Sequence, residues 1–139
     1  MKEFRSKRLR VWENISRTMQ EFKLLLLGYR SYTALLTQTG TDAPVATVLE
    51  NTLGEVPTWV YFSAGYFYVQ SPLFEQNKTF LSIQKDFLSL STQVTIPDKR
   101  IYYDGSDING HYISIDTIGN DIASNGLLNY TAIEIRVYN

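Results

Sequence analysis

The 139-residue sequence has no cysteine and a single histidine, His111. The first absence excludes disulfides and Cys-ligated zinc. The second leaves little for nucleophilic catalysis: no nucleophile, base and orienting group can be assembled around His111, which sits beside Tyr112 at the start of a predicted strand and reads as structural. No GxSxG or SxxK pattern accompanies the many serines. No two carboxylates stand in an arrangement that singles them out for glycoside chemistry. Long apolar runs are missing too. Leu24–Leu27 is far short of the roughly 20 residues a membrane span requires, and too short and too late for a signal peptide. The expectation is a protein that is not an enzyme, carries no cofactor or metal, does not enter a membrane, and is made in the cytoplasm.

Charge is sparse and unevenly placed. Charged residues make up 19% of the chain and hydrophobic residues 44%, a balance that favours a packed core over disorder. Net charge is −1, yet residues 1–30 hold eight cations against three anions, or +5, which leaves −6 for the remainder. Two segments of opposite sign are expected to do different jobs.

Proline and glycine are both absent from residues 2–27, which are rich in Arg, Lys, Glu, Met, Gln and Leu. That is helix composition. Trp12, Ile15, Met19, Phe22 and Leu26 step by 3, 4, 3 and 4, the a/d spacing of a coiled-coil seam. Extended backward, the register meets Arg8 and Arg5, so the apolar stripe ends near Trp12. Gly28 closes the helix. Such a stripe either packs on its own domain or serves as an oligomerisation and docking surface. The basic start, Lys2, Arg5, Lys7, Arg8 and Arg10, lies beyond the stripe and is expected to be exposed. It reads as an anchor for an acidic protein neighbour in preference to a nucleic-acid contact.

From Tyr29 onward the pattern changes to short β runs. Thr33–Gln38 and Val45–Leu49 flank a turn with Gly40, Asp42 and Pro44. Val56–Phe62 and Tyr66–Gln70 form a hairpin about Ser63-Ala64-Gly65. Thr79–Gln84, with Phe87–Leu90 as a continuation, then Val94–Ile96, Arg100–Tyr103 and His111–Thr117 follow, the last announced by Asn109-Gly110. Gly119–Gly126 reads as a loop. Thr131–Tyr138 alternates cleanly, with Ile133, Ile135 and Val137 on one face and Glu134, Arg136 and Tyr138 on the other. About eight short strands at this spacing predict a mainly β fold, an antiparallel β-sandwich over 29–139 preceded by an amphipathic helix over 1–28.

Two further stretches bear on function. Asp104–Gly110, DGSDING, superficially resembles a calcium loop. With Gly110 in the glycine position, however, the first ligand position falls on Gly105, so a plain turn is the better reading; Asp104, Asp107 and Asn109 remain the candidates for a loop cation. The segment TWVYFSAGYFYV is dense in rings, and Trp59, Tyr61, Tyr66 and Tyr68 are candidate interface or ligand aromatics, since such rings dominate interfaces. Asn77-Lys78-Thr79 matches a glycosylation sequon, read here as chance.

The block YTALLTQTGTDAPVATVLENTLG (Tyr32–Gly54) and the segment IEIRVY near the end resemble segments that recur in small virion-associated or assembly proteins of tailed phages and prophages of Bacteroidota hosts. Trp59 and the Ser63–Tyr66 turn share in that likeness, whereas the rest of 56–125 and the long basic helix do not. The resemblance implies a virion structural component, such as a head fibre, capsid decoration or tail accessory protein, made in the bacterial cytoplasm. It implies no catalytic residues. Its expected partners are copies of itself, as a homotrimer by analogy with phage fibres, and other capsid, portal-proximal or tail proteins. The alternative is a glycan- or host-binding β module of a fibre.

Overall fold

The computed structural model describes residues 2–85, 97–104 and 111–139, leaving aside the side chains of residues 2–9, 20, 23 and 24. The glycine- and proline-free start forms one helix, α1 (Lys2–Leu27), which Gly28 ends in the left-handed conformation with φ 68°. Nine strands follow among the described residues: β1 (Tyr29–Thr37), β2 (Val45–Asn51), β3 (Thr58–Ser63), β4 (Tyr66–Gln70), β5 (Thr79–Ile83), β6 (Asp98–Asp104), β7 (Tyr112–Gly119), β8 (Ile122–Ala123) and β9 (Thr131–Tyr138). Every described pairing is antiparallel. One sheet has the order β2-β1-β9-β5 and the other β3-β4-β7-β6, with β8 added beside β7. The chain passes between the sheets repeatedly, and their inner faces share one core, as a β-sandwich requires.

Period-two alternation builds that core. Tyr32, Ala34 and Leu36 of β1 and Ile133, Ile135 and Val137 of β9 point inward from the first sheet. Phe67 and Val69 of β4 and Ile113 and Ile115 of β7 meet them from the second. The indole N–H of Trp59 crosses between the sheets to donate to the Tyr32 hydroxyl at 3.3 Å. Burial pushes the Tyr32 phenol pKa up, opposed by that hydrogen bond.

The Tyr32–Gly54 block folds as the β1–β2 hairpin and its flanks, and its polar residues hold turns. Gln38 is buried; its amide N–H groups donate to the carbonyls of Gly40 (2.8 Å) and Asp42 (3.0 Å), and its oxygen accepts from the Gly126 amide (2.7 Å). Asn51 donates to the Glu55 carbonyl and accepts from the Leu53 amide, while Thr52 accepts from Ser31 N–H at 2.7 Å. Similarly, Arg136 in the IEIRVY segment lies over the rings of Tyr29 and Phe80 and pairs with Glu134 at 2.6 Å.

Most strand ends differ by a residue or two from the sequence expectation, and three differences have a plain cause. β1 begins at Tyr29 because it pairs along its whole length with β9, from Tyr29↔Tyr138 to Leu36↔Thr131. β3 begins at Thr58, after Pro57, which has no N–H to give to a ladder. The stretch read as a loop contains β8: Asn120 and Asp121, at φ 51° and 63°, form a two-residue turn that folds Gly119↔Ile122 and Ile118↔Ala123 back into register. The expected runs Phe87–Leu90 and Val94–Ile96 and the Asn109-Gly110 turn lie outside the described residues.

Candidate functional site

A single outward face gathers the chemistry. On the second sheet the strand order brings three rows side by side: Tyr66, Asp116 and Arg100; Tyr68, Ser114 and Tyr102; Gln70, Tyr112 and Asp104. Alternation that sends Phe67, Val69, Ile113 and Ile115 into the core sends these residues out. Of these, Tyr66, Tyr68, Tyr102, Asp104, Tyr112, Ser114 and Asp116, together with Phe67 and with Phe62 and Ser63 at the β3–β4 turn, line a cleft of about 410 Å³, within the range of small-molecule sites.

The cleft is polar at its floor and aromatic at its walls. Ser114 is buried beneath the rings, and its hydroxyl donates to Asp104 at 3.1 Å. The Tyr102 hydroxyl donates to Asp116 at 3.0 Å. Tyr68 and Tyr112 meet edge to face, centroids 5.0 Å apart at 89°, the arrangement ring quadrupoles favour. Burial pushes the Asp116 carboxyl up from its ordinary range, against the Tyr102 hydrogen bond and the charge of Arg100, which lower it. Tyr102 is pushed up to about 12, first by burial and then by the bond to the Asp116 carboxylate, which a phenolate could not make. The Lys85 ammonium, and after it Arg100 with its Nε 2.6 Å from Asp98, hold the exposed Asp98 carboxyl below the usual carboxylate range.

The four aromatics named from sequence divide between two faces. Trp59 and Tyr61 sit partly buried against the core, with Trp59 bonded to Tyr32 and the Tyr61 hydroxyl accepting from Asn125 at 3.3 Å. Tyr66 and Tyr68 face out into the cleft, where the partners not foreseen are Tyr102, Tyr112, Asp104 and Asp116. The chain matches no family model, no curated protein and no solved structure.

The helical stripe lies elsewhere. Trp12, Ile15, Met19, Phe22 and Leu26 are 69%, 44%, 68%, 61% and 70% exposed, so in the single chain this stripe does not pack on the sandwich. Arg10 is exposed as well; Lys2, Arg5, Lys7 and Arg8 belong to α1, but their side chains are outside the described set. His111 has its Nδ1 3.0 Å from the Phe74 carbonyl, a contact that ties a loop to the start of β7. Of the loop-cation candidates, Asp104 ends β6 and accepts from Ser114, while Asp107 and Asn109 lie outside the described residues. Among the described residues no three His, Asp or Glu side chains gather as a metal site, and no helix is long and apolar enough to cross a membrane.

Proposed function

We propose that this protein is a non-enzymatic structural component of a phage virion, a head-fibre, capsid-decoration or tail accessory protein that assembles through α1. The observation that carries the reading is the exposed stripe from Trp12 to Leu26. Five large apolar side chains at a/d spacing, left in water by the single chain, find their complement on a second copy of the same helix. Two heptads are short for an autonomous coiled coil, so the sandwich serves to hold the helices in register. Opposite charge on helix and sandwich, +4 over residues 1–28 against −5 over 29–139, favours encounter between copies and contributes less to affinity. The virion assignment rests on the resemblance of Tyr32–Gly54 and IEIRVY to phage proteins. A homotrimer is the preferred stoichiometry by that same analogy, with other virion proteins receiving the basic end of the helix.

Light scattering after size exclusion tests the assembly role on the full chain and on a chain starting at Tyr29. The expected result is an oligomer for the first and a folded monomer for the second. Met19→Ala/Phe22→Ala in the full chain should also dissociate the oligomer: covering each of these side chains stabilises association by about 1–2 kcal/mol, and every 1.4 kcal/mol is about tenfold in Kd. Two monomers, or two oligomers of equal copy number, would remove the helix from the assembly role.

A further inference from the structure

We propose that the cleft on the outer face of the β3-β4-β7-β6 sheet is an oligosaccharide-binding site. The lining chemistry argues for this ligand class and against the others. Of the ten lining residues, six bear hydroxyls, two are aspartates and two are phenylalanines; none is Lys or Arg. An anionic ligand would find two carboxylates and no cation within the lining, which excludes phosphates and nucleic acid as the favoured occupants.

A wholly apolar ligand would strand the carboxylates. Asp116 is already partly desolvated, and covering it with hydrocarbon would leave its charge with the Tyr102 hydroxyl in place of solvent. A polyol meets both demands. Its hydroxyls donate to the carboxylates and exchange hydrogen bonds with the tyrosine hydroxyls, while its C–H faces cover the rings.

The geometry already shows the polar half of that pattern. Asp104 and Asp116 each accept a hydroxyl from the protein, Ser114 at 3.1 Å and Tyr102 at 3.0 Å, so the carboxylates are held in place before a ligand arrives. Tyr66 and Tyr102 remain 41% and 39% exposed, leaving ring surface for stacking. A cation cage is the nearest competitor, because tyrosines and carboxylates also attract ammonium and guanidinium groups. Such a cage needs ring faces that converge on one point. The one ring pair described in the cleft, Tyr68 with Tyr112, is edge to face, so one ring turns its edge to the other. A volume of about 410 Å³ suits a short saccharide better than a lone side chain.

The test uses the full-length protein. Neutral trisaccharides of glucose, galactose, mannose and N-acetylglucosamine, and a printed array of bacterial surface glycans, are screened by saturation-transfer NMR and direct binding. An arginine-rich peptide serves as the cationic control. The expected result is binding of at least one saccharide, weakened about tenfold or more by Tyr68→Ala and by Tyr66→Ala, and several-fold by Asp116→Asn. Tyr68→Phe, which keeps the ring, retains most of the affinity and guards against a folding defect in the alanine variants. Circular dichroism confirms the fold of each. No saccharide binding, saccharide binding that none of these variants changes, or binding of the arginine peptide alone would overturn the proposal. The oligomeric state does not enter the readout, so failure here leaves the assembly role of α1 standing, and the reverse.

Discussion

Replacing Gln38 isolates what the most polar contact of the β1–β2 hairpin contributes. Its buried side chain makes three hydrogen bonds to backbone groups of two separate loops, at 2.8, 3.0 and 2.7 Å. Each neutral bond contributes about 0.5–1.5 kcal/mol net. Gly40, Asp42 and Gly126 are exposed, so water recovers part of what Gln38→Ala removes. The expected loss is about 2–3 kcal/mol. With a urea m-value of about 1–1.5 kcal/mol/M, the midpoint falls by about 2 M. The fluorescence of Trp59, packed against the core, reports the transition, with Trp12→Phe as the background so that the indole of the helical stripe adds no signal of its own.

Gln38→Glu sharpens the test. It keeps the shape but turns the two donors into a carboxylate facing two carbonyl oxygens. At neutral pH it should cost more than the alanine. The carboxyl's folded-state pKa is then raised above its unfolded value of about 4.3. Stability is therefore fullest below that unfolded pKa and is lost as pH rises through the folded one, so the glutamate variant gains on the alanine as pH falls. An alanine cost under about 0.5 kcal/mol, or a glutamate milder than alanine at neutral pH, would refute the clamp.

Two further outcomes follow from geometry. Gly65→Ala should cost several kcal/mol, seen as a collapsed melting temperature or insoluble protein, because the added Cβ would lie 2.5 Å from both the Ser124 amide nitrogen and the Thr117 carbonyl oxygen, at φ +72°. Ultraviolet titration of tyrosine should resolve a late phase near pH 12 from Tyr102, shifted downward by Asp116→Asn. Because that phenol's folded pKa lies above its unfolded value of about 10, its contribution to stability is complete below the unfolded value and fades as pH rises towards 12.

Much of the sandwich is legible because its signals are local. α1 shows itself by the lack of Gly and Pro, and β9 by Ile133, Ile135 and Val137 alternating with Glu134 and Arg136, which the structure places inward and outward in turn. β8 is too short for any period to appear; Asn120-Asp121 was its signal, a pair that tolerates positive φ. The cleft is a different case. The alternation Tyr112–Ser114–Asp116 can be seen in the chain, and so can Tyr102 two residues before Asp104. That they share a face with Tyr66 and Tyr68 depends on β4, β7 and β6 being neighbours, which no local pattern encodes. Trp59 and Tyr61 illustrate the same limit. Either face of β3 carries apolar residues, and register with Val69 and Phe67 turns these two rings inward.

The pairing of β1 with β9 also sets an order of events during synthesis. β1 follows directly on α1, yet on one side its ladder partner is the last strand of the sequence. Until β9 leaves the ribosome, β1 has only β2 beside it, and its other edge of N–H and C=O groups stays open. The helix, by contrast, needs no distant residue to form its hydrogen bonds. Nascent chains on one message can therefore present finished helices while their first sheet is still incomplete, which makes the interval before β9 emerges the one most open to edge-to-edge aggregation.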